Sequence, residues 1–66
     1  MNKHEAADML IEDGYTTWQA EDIVDKARYL RRPQPFSTSD GRDYAVVFDV
    51  LANKYHVTDT DGDILV

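Results

Sequence analysis

The chain has no cysteine among its 66 residues, which excludes disulfides and thiolate metal sites. It has two histidines, His4 and His56, far apart in sequence, too few for a histidine-based metal cluster on their own. Its three glycines, Gly14, Gly41 and Gly62, stand singly in turn contexts, so there is no glycine-rich phosphate cradle. No stretch approaches the ~20 apolar residues of a membrane span. The opening Met-Asn-Lys-His-Glu runs into charged sequence without the apolar core of a secretory leader, and the chain is read as cytoplasmic. Cations are scarce: seven Lys and Arg stand against thirteen Asp and Glu, a net charge of −6 that argues against non-specific DNA binding.

What is present is a single domain, residues 1–66, with ordinary apolar content. A chain this short buries a small share of its surface, so its core is thin. With no disulfide available, self-association is the expected further source of stability. The charge is unevenly distributed. Residues 1–25 sum to −6, residues 26–42 to +4 and residues 43–66 to −4.

The residue pattern predicts an α+β fold: two N-terminal helices packed on a three-stranded antiparallel meander. The first helix, about 3–13, has an apolar stripe of Ala6, Ala7, Met9 and Leu10 at helical spacing. Asn2 with Glu5 fits a capping box, and Gly14 stops the helix. The second helix, about 17–32, opens on the capping pair Thr16 and Gln19. Ala20, Ile23, Val24, Ala27 and Leu30 give it one apolar face, and Pro33 ends it. Residues 33–43 read as a polar connector anchored by Phe36. From Tyr44 the period becomes two, and strands are expected at about 43–51, 55–59 and 63–66, with turns at Asn53-Lys54 and Asp59–Gly62. The first strand is apolar on both faces apart from Asp49. A strand of that kind is either central or covered by something else. A homodimer sheet through Ala45, Val47 and Leu51 is the expected solution.

No catalytic, metal or cofactor-binding residue is assigned. Asp59-Thr60-Asp61-Gly62-Asp63 alternates carboxylates, but its glycine is fourth where a calcium loop needs it sixth, and no twelfth-position glutamate follows. It reads as a hairpin turn. His56 has Asp49 or Thr58 as a prospective partner, but Ser37 and Ser39 lie on the connector and nothing places a base beside a nucleophile. The chain is read as no enzyme.

Residues Met9 to Ala20 read as helix, glycine turn, helix. This stretch resembles a helix-turn-helix and, more faintly, a ubiquitin-associated-type helix pair. The first resemblance implies that the start of the second helix touches bases. Glu21, Asp22 and Asp25 have the wrong sign for that, and a third helix is missing. Two surfaces remain. The acidic set Glu12, Asp13, Glu21, Asp22 and Asp25, with Trp18 as aromatic anchor, suits a protein partner. The basic set Lys26, Arg28, Arg31, Arg32 and Arg42 suits phosphates, and makes a nucleic-acid-binding accessory protein the alternative. The expectation is a small acidic interaction domain of bacterial or phage type that presents its acidic helical surface to a protein, with no membrane partner.

Overall fold

The computed structural model describes residues 1–66 and gives two helices followed by a three-stranded antiparallel sheet, an α+β arrangement. Helix α1 spans Lys3–Glu12. Its N-terminus is the anticipated capping box: the Glu5 N–H donates to Asn2 Oδ1 at 2.8 Å and the Asn2 N–H to Glu5 Oε1 at 3.0 Å. At its C-terminus the Gly14 N–H donates to the Ile11 carbonyl at 3.0 Å and the Tyr15 N–H to the Leu10 carbonyl at 3.1 Å. This pair of bonds satisfies two orphan carbonyls and requires the positive φ of +102° that Gly14 supplies.

Helix α2 spans Thr17–Leu30. Thr16 and Gln19 form the second capping box, with bonds of 3.0 and 3.1 Å. The helix stops at Leu30, short of the expected residue 32, because Arg31 already turns left-handed at φ 53° and Arg32 precedes a proline, a position that disfavours helical backbone. The two helices meet through small side chains. Ala6, Ala7, Ala20 and Ala27 are buried, with Leu10 and Val24 filling the space between them and the sheet.

The sheet order is β1-β2-β3, with β1 at Gln34–Ser37, β2 at Asp43–Asp49 and β3 at Lys54–Thr58. The stretch expected to be a connector is therefore a strand. Phe36 is buried as anticipated, but as a member of the sheet, opposite Tyr44. The expected strand at 63–66 reduces to one bridge, Thr58 to Ile64. The reason is visible at the outer edge of β3. Met1 occupies it, its carbonyl accepting the Tyr55 N–H at 2.7 Å, which leaves the tail only the Val57 end, where the Leu65 N–H donates to the Val57 carbonyl at 2.8 Å.

Strand β2 is thus central, with both backbone edges paired; its helix-facing side is buried at Val46, while Ala45 and Val47 on the other side are half-buried. The expected dimer edge through Ala45, Val47 and Leu51 does not exist. Ala45 pairs with both Pro35 and Thr58, Val47 pairs with His56, and Leu51 lies beyond the strand in the turn, fully exposed. That turn is started by Asp49, whose Oδ1 accepts the N–H groups of Leu51 and Ala52 at 3.1 and 3.2 Å. The remaining free edge, β1, is blunted. The Ser37 N–H points away from β2 and donates to the Tyr15 hydroxyl at 2.9 Å. Pro35, two residues earlier on the same side, has no N–H to offer. Val46, Phe36, Tyr55 and Val57 face the helices and complete the core with Leu10 and Val24.

Candidate functional site

The side chains that the sequence singles out for reactivity, His56, Ser37 and the Asp59–Asp63 acids, are engaged separately. His56 Nδ1 lies 3.2 Å from the Val66 carbonyl and Nε2 lies 3.7 Å from Asp49 Oδ2. Ser37 is on β1, across the central strand from His56, and its hydroxyl donates to Asp43 at 2.8 Å. The Asp59–Asp63 segment is a backbone-directed turn. Asp59 Oδ1 accepts the N–H groups of Asp61 and Asp63, both at 2.9 Å, so this carboxylate is spent on holding the loop.

Helix α2 positions both candidate surfaces. Ala20, Val24 and Ala27 are its buried side. Trp18, Asp22, Asp25 and Tyr29 recur at spacings of four, three and four residues, which puts them on one stripe facing the opposite way. The stripe carries an aromatic ring at each end, Trp18 at 75% and Tyr29 at 87% exposure. Trp18 is therefore a surface residue with no part in the core. The acids of this stripe are not bare. Asp22 pairs with Lys26 at 3.0 Å and Asp25 pairs with Lys3 at 2.9 Å, a contact that holds the Lys3 ammonium above its ordinary range. Glu21 and Glu12 are exposed and have no ion-pair partner. Asp13 is half-buried, its N–H bonded back to the last turn of α1. The connection of Gly14 to Thr16 brings Glu12 and Asp13 to the same end of the helix pair as Trp18 and Glu21.

The basic residues do not form one patch. Lys26, Arg28 and Arg31 line a groove of about 740 Å³ between the last turns of α2 and the β2–β3 turn, with Arg32 exposed just past it. Arg42 sits at the opposite end of β2, in the loop from Thr38 to Asp43, about 20 Å away along a seven-residue strand. There Arg42 pairs with Asp40 at 3.4 Å and is held above its ordinary range first by Tyr44 and then by Asp40. The Asp40 carboxyl is held below the usual aspartate range. The hydrogen bond from Thr38 is the main cause, partial desolvation opposes it and Arg42 adds to it.

The floor of the groove is Phe48, over which the Arg28 guanidinium lies 5.2 Å from the ring centroid. Val50 and Asn53 close its far wall. Arg28 and Arg31 have no carboxylate partner in a chain with a large excess of carboxylates. Composition and spacing signal the cations but not Phe48 and Asn53, which the end of β2 and the β2–β3 turn bring to the groove.

No family model, no curated protein and no solved structure matches the chain. The helix-turn-helix likeness stays confined to the helix pair. The chain has no third helix, and the outward side of α2 carries Asp22 and Asp25. No helix is long and apolar enough to cross a membrane.

Proposed function

We propose that the chain is a non-enzymatic, cytoplasmic protein-interaction domain of bacterial or phage type. It presents the acid-rich start of α2 to a basic protein surface, with Trp18 as anchor. One observation carries the reading: the only tryptophan of the chain is held 75% exposed on the outward side of a capped, well-packed helix. An indole buries roughly 150–250 Å² in a full contact, worth about 4–6 kcal/mol of gross transfer free energy. A folded chain gains nothing by leaving it in water. Tryptophan is also the residue most enriched where binding energy concentrates. Around it Glu12 and Glu21 supply unpaired negative charge, which suits a Lys- or Arg-rich partner and speeds encounter. Asp22 and Asp25 contribute less, because Lys26 and Lys3 already neutralise them.

Trp18 is its own reporter. Titration with Arg-rich helical peptides at low salt should shift its emission to the blue as the indole leaves water. Charge reversal of Glu12 and Glu21 should weaken that binding about tenfold or more, and Asp22 and Asp25 reversal should have a smaller effect. Peptide binding, measured by calorimetry, that is unchanged by Trp18→Ala, or an emission that no basic peptide moves, overturns the reading.

A further inference from the structure

The arginine groove at the other end of α2 is the second surface with unspent chemistry, and it involves neither Trp18 nor Glu12 and Glu21. We infer that it is a binding site for a nucleotide phosphate, a phosphate carried next to a flat aromatic base.

Charge decides the first half of that ligand. Four charged side chains line the groove, Asp25, Lys26, Arg28 and Arg31. Asp25 is taken by Lys3 and Lys26 by Asp22, at 2.9 and 3.0 Å. What remains uncompensated is two guanidiniums. The C-terminal end of α2 contributes about half a negative charge, and that only within its last turn. Two full positive charges outweigh it. Guanidiniums present planar forks of N–H donors, which match phosphate oxygens in pairs. Arg28 is pinned with one face on Phe48, so its donor edges are held at the groove rather than swinging in solvent.

The walls decide the second half. Tyr29 is 87% exposed beside the two arginines, a bare ring available for a base to stack on. Asn53 stands across the groove with an amide that can both donate to and accept from a base edge. The volume of about 740 Å³ lies within the range of small-ligand sites. Arg31 at φ 53° and Asn53 at φ 52° are also the only two non-glycine residues of the chain with positive φ, and both line this groove. Both are accounted for locally, Arg31 as the left-handed cap of α2 and Asn53 as a turn residue, and they fix where these two side chains leave the backbone. The net charge of −6 does not prevent a local contact, because charges beyond about 8 Å are screened at physiological salt.

The same chemistry is offered by a free mononucleotide and by a single-stranded nucleic acid. Both are tested by ¹H–¹⁵N NMR titration of the 66-residue chain, with AMP, adenosine, inorganic phosphate and an eight-nucleotide oligo(dA) as separate probes at low salt. The expected result is saturable shifts at Lys26–Arg31 and Phe48–Asn53 with AMP or with the oligonucleotide, and at least tenfold weaker binding of adenosine and of phosphate alone. Tighter binding of the oligonucleotide than of AMP identifies a strand as the ligand; equal or weaker binding identifies the free nucleotide. Arg31→Gln, which removes no core contact, should raise Kd by about tenfold, and Arg28→Lys should do the same while keeping the charge. Arg42→Gln should leave Kd within about twofold. The inference is overturned by an absence of saturable shifts at millimolar probe, by phosphate alone binding as tightly as AMP, by shifts centred on Arg42, or by unchanged affinity of Arg31→Gln.

Discussion

The same atom removed at two tyrosines should change stability in opposite directions. The Tyr55 side chain is 97% out of water, against the ring of Phe48 at 4.9 Å, and its hydroxyl has no hydrogen-bond partner. A buried hydroxyl left unsatisfied costs about 1–3 kcal/mol, because folding strips its water and returns nothing. Tyr55→Phe removes that cost and keeps the ring, so it should stabilise the domain by about 1 kcal/mol or more. The Tyr15 hydroxyl is in the reverse situation, accepting the Ser37 N–H at 2.9 Å on the free edge of β1. Tyr15→Phe loses a hydrogen bond worth about 0.5–1.5 kcal/mol. Because Ser37 is exposed, water can take the vacated place, which puts the loss at the lower end of that range.

Urea unfolding followed by far-ultraviolet circular dichroism measures both. A domain of this size exposes little surface on unfolding, so its m-value should be near ~1 kcal/mol/M. Tyr55→Phe should then raise the urea midpoint by about 1 M, and Tyr15→Phe should lower it by about half as much. Equal m-values across the three proteins are required for the comparison to hold. A lower midpoint for Tyr55→Phe would show that the hydroxyl has a partner in solution and would refute the reasoning.

Leu10 is fully buried and Leu51 fully exposed, so Leu10→Ala should cost about 2–5 kcal/mol and leave little or no cooperative unfolding, while Leu51→Ala should stay within about 0.5 kcal/mol, both read from urea melts. Restoring a donor to the free edge with Pro35→Val, combined with Tyr15→Phe, should make the 7.6 kDa chain associate with concentration beyond the parent protein in light scattering; a double variant with the parent's mass at every concentration contradicts the account of the blunted edge. The lowered value of Asp40 means that the contribution of its loop is present above the ordinary aspartate value and is lost as pH falls through the lower folded value. In a ¹³C carboxyl titration Thr38→Ala should move Asp40 upward toward the ordinary value.

The helical half of the fold was readable because its signals are local. Both capping boxes lie within four consecutive residues, Asn2–Glu5 and Thr16–Gln19, and Gly14 ends the first helix where a left-handed residue is needed. The sheet was read correctly in its long strand, because Tyr44, Val46 and Phe48 alternate against Ala45 and Val47. It was misread at both ends for non-local reasons. Residues 34–37 contain Pro35 and no apolar alternation beyond Phe36, so nothing in them announces a strand; it forms because β2 offers an edge and Tyr15 closes the other side. Residues 63–66 look like a strand, but the place they would fill along β3 is shared with Met1, sixty-odd residues away in sequence. Val50 and Leu51 look like strand because they are apolar, while the decisive residue is Asp49, whose carboxylate begins the turn. The surfaces follow the same rule. The helical spacing of Trp18 against Ala20, Val24 and Ala27 already sets it opposite the core side. The separation of Arg42 from Arg28 and Arg31, by contrast, depends on which way β2 runs.

The closed edges bear on both functional readings. With Met1 and the tail on β3, and Pro35 and Tyr15 guarding β1, little of the sheet backbone is left to pair with another chain. On either reading, recognition would therefore fall to side chains, and the most exposed large ones of α2 sit at its two ends. The start of the helix offers an indole among unpaired glutamates, the finish a phenol among unpaired arginines. These ends ask for partners of opposite charge. Raising salt should weaken both, but a substitution at one end should leave the other untouched, since about 16 Å of helix separates Trp18 from Tyr29, some two screening lengths at physiological ionic strength. Coupling between the two, with an Arg31→Gln substitution altering capture of a basic peptide at Trp18, would mean that α2 acts as one continuous surface and that neither end is a separate site.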